Sequence, residues 1–257
     1  MAEKNPVFFV GAGPGDPELI TVRGQRLLRE ADLIIYAGSL VPRALVTGLT
    51  AEVHNSATMH LDRIVTMMVT AWRQGKRVVR LHTGDPALYG AIREQMNALA
   101  REHIPCRIVP GVSSVAAAAA ALKAELTLPE VSQTVIITRR AGRTPVPKEE
   151  SIKELARHRA TMMILLSVAM IDQVVAELLQ GGYPPATPVM VVEKASWPEE
   201  RIVTGTLAGI SAKVRDAGIS KTAIICVGEV FATGDPAVAS RLYARDFSHG
   251  CRVAGRG

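Results

Sequence analysis

The sequence predicts an α/β protein of two domains, each built on an open sheet. Three observations predict it. Short apolar runs alternate with amphipathic stretches through the first half of the chain. Near residue 128 the texture changes to strand-like runs separated by few helices. In the first half, three of the apolar runs end in glycine-rich or small-residue loops. Alternation of this kind places parallel strands beside crossover helices.

Taken in order, "PVFFVGAG" reads as a strand running into a turn. "VRGQRLLREA" has helical spacing through Val22, Leu27 and Leu28. "DLIIYAG" is a short buried strand that ends in a loop. "LDRIVTMMVTAWRQG", from Leu61, is an amphipathic helix closed by Gly75, with Arg73 in its last turn. "KRVVRLHTGDP" is a strand, "AIREQMNALAREH" a helix, "CRIVPG" a strand and "VSSVAAAAAALKA" a helix. The unbroken alanines Ala116 to Ala121 favour helix and permit close packing on a sheet.

"LTLPEVSQ" carries a proline and reads as a linker. After it come "TVIITRRAG", "TMMILLSVA", "PVMVVEKAS", "RIVTGTLAG" and "KTAIICVGEV", strand candidates with only two or three helices among them. "PVMVVEKASWPEERIVTGTL" has the alternation and turn residues of a hairpin. The second half is therefore expected to hold a mixed sheet. The expected division is an α/β domain over 1–127, a second over 128–240, and a basic tail over 241–257 with a poorly ordered end, carrying Arg241, Arg245, Arg252 and Arg256. Two unlike domains of similar size are expected to bind a ligand in the cleft between them.

The 257 residues are 48 % hydrophobic and 21 % charged, the balance of a soluble globular protein. No apolar run is long enough to span a bilayer and no signal-peptide pattern is present, so a cytoplasmic protein without a membrane partner is expected. Cys106, Cys226 and Cys251 are scattered, and the histidines show no paired spacing; neither a disulfide framework nor a metal site is expected. The net charge of +6 fits a polyanionic partner or a solvated basic surface. Aromatics make up only 4 % and the basic residues form no dense run, which argues against nucleic acid.

The loop Gly11-Ala12-Gly13-Pro14-Gly15-Asp16 is not a dinucleotide fingerprint. Its third glycine comes one place early, Pro14 lacks an N–H, and Asp16 would repel phosphate. No P-loop lysine follows it. A tight strand-to-helix turn with Asp16 as a local cap is one reading; a ligand loop is the other. "HTGDPALYG" ends a strand in the same way, with Asp85 before Pro86 expected to cap the helix that follows. "PGVSS" is the third such loop. Three loops of this kind on one sheet edge mark the place where open α/β sheets bind ligands.

Together, "VGAGPGDPELIT", "ADLIIYAGSLVP", "TGDPALYG", "PGVSS" and "PVMVVEKAS" resemble the tetrapyrrole methylase family over residues 6–235. The resemblance implies two α/β domains, a homodimer, and S-adenosyl-L-methionine as donor in the interdomain cleft, with S-adenosyl-L-homocysteine as product. It carries donor contacts onto Pro14, Thr83, Gly84, Asp85, Leu88, Ser113 and Ser114, and onto Leu166, Ala195, Thr222 and Ala223 in the second half. "YAGSLVP" is most similar to members that methylate C11 of precorrin-4 or its cobalt complex. Members acting on uroporphyrinogen place an aspartate straight after the tyrosine, where this chain has Ala37 after Tyr36. Alanine cannot act as a general base, which counts against uroporphyrinogen as substrate; the activated donor needs no dedicated nucleophile, and no catalytic residue is assigned. The partner implied is a polycarboxylate tetrapyrrole. Asp16, Ser39, Arg43, Arg139, Arg140 and Arg143 are its candidate contacts, because arginine pairs bidentately with carboxylates. A carrier that holds the tetrapyrrole without turnover, and a nicotinamide-dependent enzyme, are the competing readings.

Overall fold

A computed structural model describes residues 5–232 together with 244, 247, 248, 250 and 251. Arg241, Arg245, Arg252 and Arg256 of the expected tail lie outside the described residues. The chain divides into two compact units. One runs through Ala118 and takes in Lys194–Glu200; the other holds Ala119–Glu193 and continues from Arg201.

The first unit contains β1 (Val7–Gly11), β2 (Leu33–Tyr36), β3 (Glu52–Asn55), β4 (Val78–His82) and β5 (Cys106–Val109). They form one sheet in the order β3-β2-β4-β1-β5, every pair parallel. Side chains alternate between its faces. Val7, Phe9, Leu33 and Ile35 pack with Ile64, Met68 and Leu99 on one face, and Val10, Ile34, Val79 and Leu81 pack with Leu28 on the other. Those packing partners lie on α2 (Leu61–Arg73) and α3 (Arg93–Arg101), and on α1 (Val22–Glu30), respectively. The strand β3 was not expected. Its sequence, Glu-Val-His-Asn, has no apolar run because it closes the sheet's border, where polar residues keep a strand from pairing further.

The helix α1 corrects one expectation. Val22 opens the helix and is 88 % exposed, while Gly24 and Leu28 form the buried stripe. Thr21 caps the helix by accepting the Gly24 N–H, and a Cβ on Gly24 would stand 3.1 Å from Val10. The helix therefore packs where it has least side chain, and Val22 faces outward. The helix α2 ends as expected, with Gly75 at φ 80° and Arg73 paired with Glu102 at 2.6 Å. The alanine run lies in α4 (Ser114–Ala121), with Ala117 and Ala118 buried.

The second unit contains β6 (Val135–Arg139), β7 (Thr161–Leu165), β8 (Pro188–Glu193), β9 (Arg201–Thr206) and β10 (Ala223–Val227), in the order β6-β7-β10-β8-β9. β6 and β7 are parallel and the other pairs antiparallel, so the sheet is mixed as expected. The expected hairpin is β8–β9, in register from Pro188↔Thr206 to Glu193↔Arg201. The helices α5 (Ile152–Ala156), α6 (Ile171–Gln180) and α7 (Ile210–Asp216) contribute Ile152, Val174, Leu178 and Val214 to a core with Ile164, Val191 and Ile225. Among the described residues no helix is long and apolar enough to cross a membrane.

Candidate functional site

In the first unit, β4, β1 and β5 are neighbours and run parallel, so their three trailing loops meet at one end of the sheet. Ala12 N–H donates to the His82 carbonyl at 2.7 Å. Gly13 and Gly84 exchange both backbone bonds, at 3.3 and 2.7 Å. Gly111 closes the group: a Cβ there would stand 2.2 Å from the Gly84 oxygen and 2.8 Å from the Gly11 Cα. Main chain meets main chain with no room for a side chain. Gly84, at φ 58°, presents its other side to Ser113 and Ser114, whose nearest atoms lie 3.8–3.9 Å from where its Cβ would be.

Asp85 corrects a second expectation. It does not cap a helix, because the chain makes turns after Pro86 and α3 begins only at Arg93. Instead its two carboxylate oxygens accept the Ala87 N–H at 2.7 Å and the Gly111 N–H at 2.9 Å. It thus ties two of the three loops together. Leu88 is half-buried and its N–H reaches the Asp85 carbonyl at 3.2 Å. The structure therefore brings Thr83, Gly84, Asp85, Leu88, Ser113 and Ser114 into one cluster at the loop end of the sheet.

Asp16 does cap a short turn, accepting the Glu18 N–H at 2.8 Å before the 3-10 helix Pro17–Leu19. Its own N–H donates to Ser196 Oγ at 3.0 Å, and the Pro14 carbonyl accepts from Trp197 Nε1 at 2.9 Å. Ala195, on the same segment, is buried. The sequence reading did not single out Ser196 or Trp197. Gly15, which has no room for a Cβ beneath the Trp197 ring, is the signal that was available.

Two more residues were missed. Arg80 and His82 are buried on β4, one above the other on the same sheet face. Arg80 donates to the Gln95 side chain at 3.0 Å and the Ile35 carbonyl at 3.1 Å, and burial pushes its pKa down to about 10. His82 stacks on Phe9 with ring centroids 6.0 Å apart. Its Nε2 has no partner among the described residues. Burial first, and then the Arg80 charge, push its pKa down to about 3, so the ring is neutral. At the end of β2, Ala37 N–H donates to the Leu81 carbonyl at 2.9 Å. Ser39 lies in the 3-10 helix Gly38–Leu40, and its side chain is outside what is described. Arg43 is exposed and opens the next such turn. A pocket of about 300 Å³ lined by Pro17, Gln25, Leu28, Arg29, Ala44 and Leu45 contains none of the expected donor contacts.

In the second unit, β10 runs antiparallel to β7 with Ile225 opposite Ile164, so the start of β10 lies at the same end of the sheet as the finish of β7, and Ala223 pairs with Glu193. Leu166, just past β7, is 66 % exposed at φ 56°, and Thr222 sits at φ 55°. Arg139 donates to the carbonyls of Arg140, Thr144 and Pro145. Arg140 pairs with Glu177 at 2.7 Å, and its N–H reaches Ser167 Oγ at 2.9 Å. These two arginines are engaged in shaping their own loop. Arg143 stands exposed in that loop.

The chain matches the family described as tetrapyrrole (corrin/porphyrin) methylases over residues 6–211. It is 56 % identical to the cobalt-precorrin-4 C(11)-methyltransferase of Methanocaldococcus jannaschii, covering 97 % of this chain and 96 % of that one. It is 52 % identical to the precorrin-4 C(11)-methyltransferase of Pseudomonas aeruginosa, covering 95 % and 97 %. Among solved structures, the cobalamin biosynthetic enzyme cobalt precorrin-4 methyltransferase, CbiF, superposes with a TM-score of 0.86 at 49 % identity, covering 88 % of this chain and 95 % of that one. The uroporphyrin-III C-methyl transferase of Thermus thermophilus, complexed with S-adenyl homocysteine, superposes at 0.74 with 30 % identity, covering 88 % and 93 %.

Proposed function

The chain belongs to the tetrapyrrole (corrin/porphyrin) methylases, and from that premise we propose that it transfers a methyl group from S-adenosyl-L-methionine to C11 of precorrin-4. The same chemistry applies to the cobalt complex of that substrate. The observation that carries the donor assignment is the main-chain cluster of Gly11, Gly84 and Gly111 with Gly13, Asp85, Ser113 and Ser114 beside it. Such a cluster fits a sulfonium donor, which needs shape and peptide dipoles more than positive charge. It does not fit a pyrophosphate, which would meet Asp16 and find no N–H at Pro14.

When bound, the donor supplies an activated methyl group: the ring carbon gives the pair for the new C–C bond, and the methyl–sulfur pair stays on sulfur. The protein's part is placement. Holding two reactants at about 3–3.5 Å in line removes much of the barrier without a nucleophilic side chain. Ala37, where a carboxylate would stand in the uroporphyrinogen reading, supports a precorrin substrate. Thr83, Gly84, Asp85, Leu88, Ser113, Ser114 and Pro14 are assigned to the donor, as are Leu166, Ala195, Thr222 and Ala223. Arg43 and Arg143, exposed and without an ion-pair partner among the described residues, are the stronger assignments for substrate carboxylates. The active protein is proposed to be a homodimer.

The test is to incubate the purified protein with S-adenosyl-L-methionine and precorrin-4, metal-free and cobalt-loaded in separate arms, and weigh the products. A gain of one methyl with one equivalent of S-adenosyl-L-homocysteine is expected, and the faster arm identifies the natural substrate. Retention of an unmodified tetrapyrrole would establish a carrier instead. Native mass spectrometry of the same sample is expected to report two chains.

A further inference from the structure

The segment Lys194–Glu200, between β8 and β9, packs on the loop Gly13–Asp16 within the first unit. It is stiff. Lys194 and Ser196 both hold left-handed backbone, at φ 48° and 67°. Such conformations persist in non-glycine residues only where the surroundings over-determine them. Here the Glu200 carboxylate accepts the Ser196 N–H at 2.7 Å, Trp197 N–H reaches the Lys194 carbonyl at 2.9 Å, and Glu200 N–H reaches the Trp197 carbonyl at 3.0 Å. Lys194 pairs with Glu199 at 3.6 Å. This bracing aims two side chains at the loop: Ser196 Oγ at the Asp16 N–H, and the Trp197 indole at the Pro14 carbonyl. The indole ring also occupies the space above Gly15, where a Cβ would stand 2.2 Å from it.

We infer that Trp197 is a positioning residue for the methyl donor, acting through the Gly13–Asp16 loop. Its indole N–H fixes the Pro14 carbonyl. The next residue back, Gly13, shares two backbone bonds with Gly84, and Gly84 borders Ser113 and Ser114. A shift of the loop at Pro14 is thereby passed to the loops assigned to the donor. The inference rests on that assignment and adds to it a residue that touches no reacting atom.

The chain has two tryptophans, so W72F leaves Trp197 as the only indole; Trp72 lies on α2, and its indole N–H donates to the Asn5 carbonyl at 2.8 Å. In that background, titration with S-adenosyl-L-homocysteine is expected to change Trp197 emission saturably. Replacing Trp197→Phe keeps a ring over Gly15 but removes the bond to Pro14. Losing one such bond is expected to weaken S-adenosyl-L-homocysteine by about tenfold in calorimetry. G15A, which displaces the ring, is expected to weaken it at least as much and to red-shift the W72F emission. A merely structural tryptophan would lower the melting temperature and leave affinity unchanged. If the unsubstituted protein binds the ligand and W197F binds it equally, this inference is overturned and the donor assignment stands. If the unsubstituted protein binds none, the donor assignment fails and this inference falls with it.

Discussion

The loop end of the first sheet and the Leu166–Thr222 end of the second solve the same geometric problem in opposite ways. Both need left-handed backbone. Where its loops bond to one another, the first uses glycine for it, at Gly13 and Gly84, and adds Gly11 and Gly111 where two main chains touch. The second uses Leu166 and Thr222, which keep their side chains at φ 56° and 55°. Glycine is the low-strain choice when backbone is what must be presented. A leucine held there, and two-thirds exposed, indicates that its side chain is the part being presented. One surface is built of peptide groups and the other of side chains.

The largest effect should come from Gly111. G111A puts a methyl group 2.2 Å from the Gly84 oxygen, and neither strand-anchored loop can retreat. Overpacking of this kind should cost about 3 kcal/mol, read as a lower urea midpoint, with loss of S-adenosyl-L-homocysteine binding. G84A sharpens the point. Its methyl group would have 3.8 Å of clearance, so only the left-handed strain remains, roughly 1 kcal/mol. Equal costs at the two positions would mean that the contact between the loops is not what requires glycine.

The second effect concerns charge. The face beneath the first cluster is buried, with His82 neutral and stacked on Phe9, whereas the second surface carries the exposed Arg143. The folded pKa of His82, about 3, lies below its ordinary value of 6.5. Between those values the unfolded chain takes up a proton that the folded chain refuses. Stability is therefore flat above pH 6.5 and is lost as pH falls towards 3. From pH 7 to 4.5 the loss should be about 2–3 kcal/mol from this residue. H82F, which can keep the stack, should show a correspondingly shallower decline in urea unfolding over the same range. Identical declines would locate the acid sensitivity elsewhere.

This contrast also governs what the sequence revealed. The first sheet was legible because its strands are apolar runs ending in glycine, and glycine is visible in a sequence when it is required by contact. Only β3 escaped, since a border strand such as Glu-Val-His-Asn need not be apolar. Val22 misled because an apolar residue in the first turn of a helix looks like part of the buried stripe. Asp85 was read as a cap because an Asp-Pro pair resembles one locally, while one of its two partners, Gly111, is 26 residues away. Long-range partners explain the other omissions. Arg80 and His82 sit inside a strand-like run where nothing nearby marks them as buried polar side chains. Ser196 and Trp197 meet Asp16 and Pro14 across 180 and 183 residues. Leu166 and Thr222 came only from the family resemblance, because a strained leucine looks like any other.

The smallest effect tests the second surface directly. In L166G, the left-handed strain at φ 56° disappears, which should stabilise the fold by about 1 kcal/mol or slightly more. Glycine's larger unfolded-state entropy offsets part of this, and little burial is lost because Leu166 is 66 % exposed. The net expectation is a gain of about 0.5 kcal/mol, seen as a rise of one or two degrees in melting temperature. The same substitution should weaken S-adenosyl-L-homocysteine by roughly tenfold, the worth of an apolar side chain against a ligand face. Stability and binding would then move in opposite directions, the mark of a residue kept strained for its side chain. G84A should instead lower both, since there the backbone itself is the contact surface. If L166G lost stability as well, the strain at Leu166 would be a feature of the fold, and the division between a peptide surface and a side-chain surface would fail.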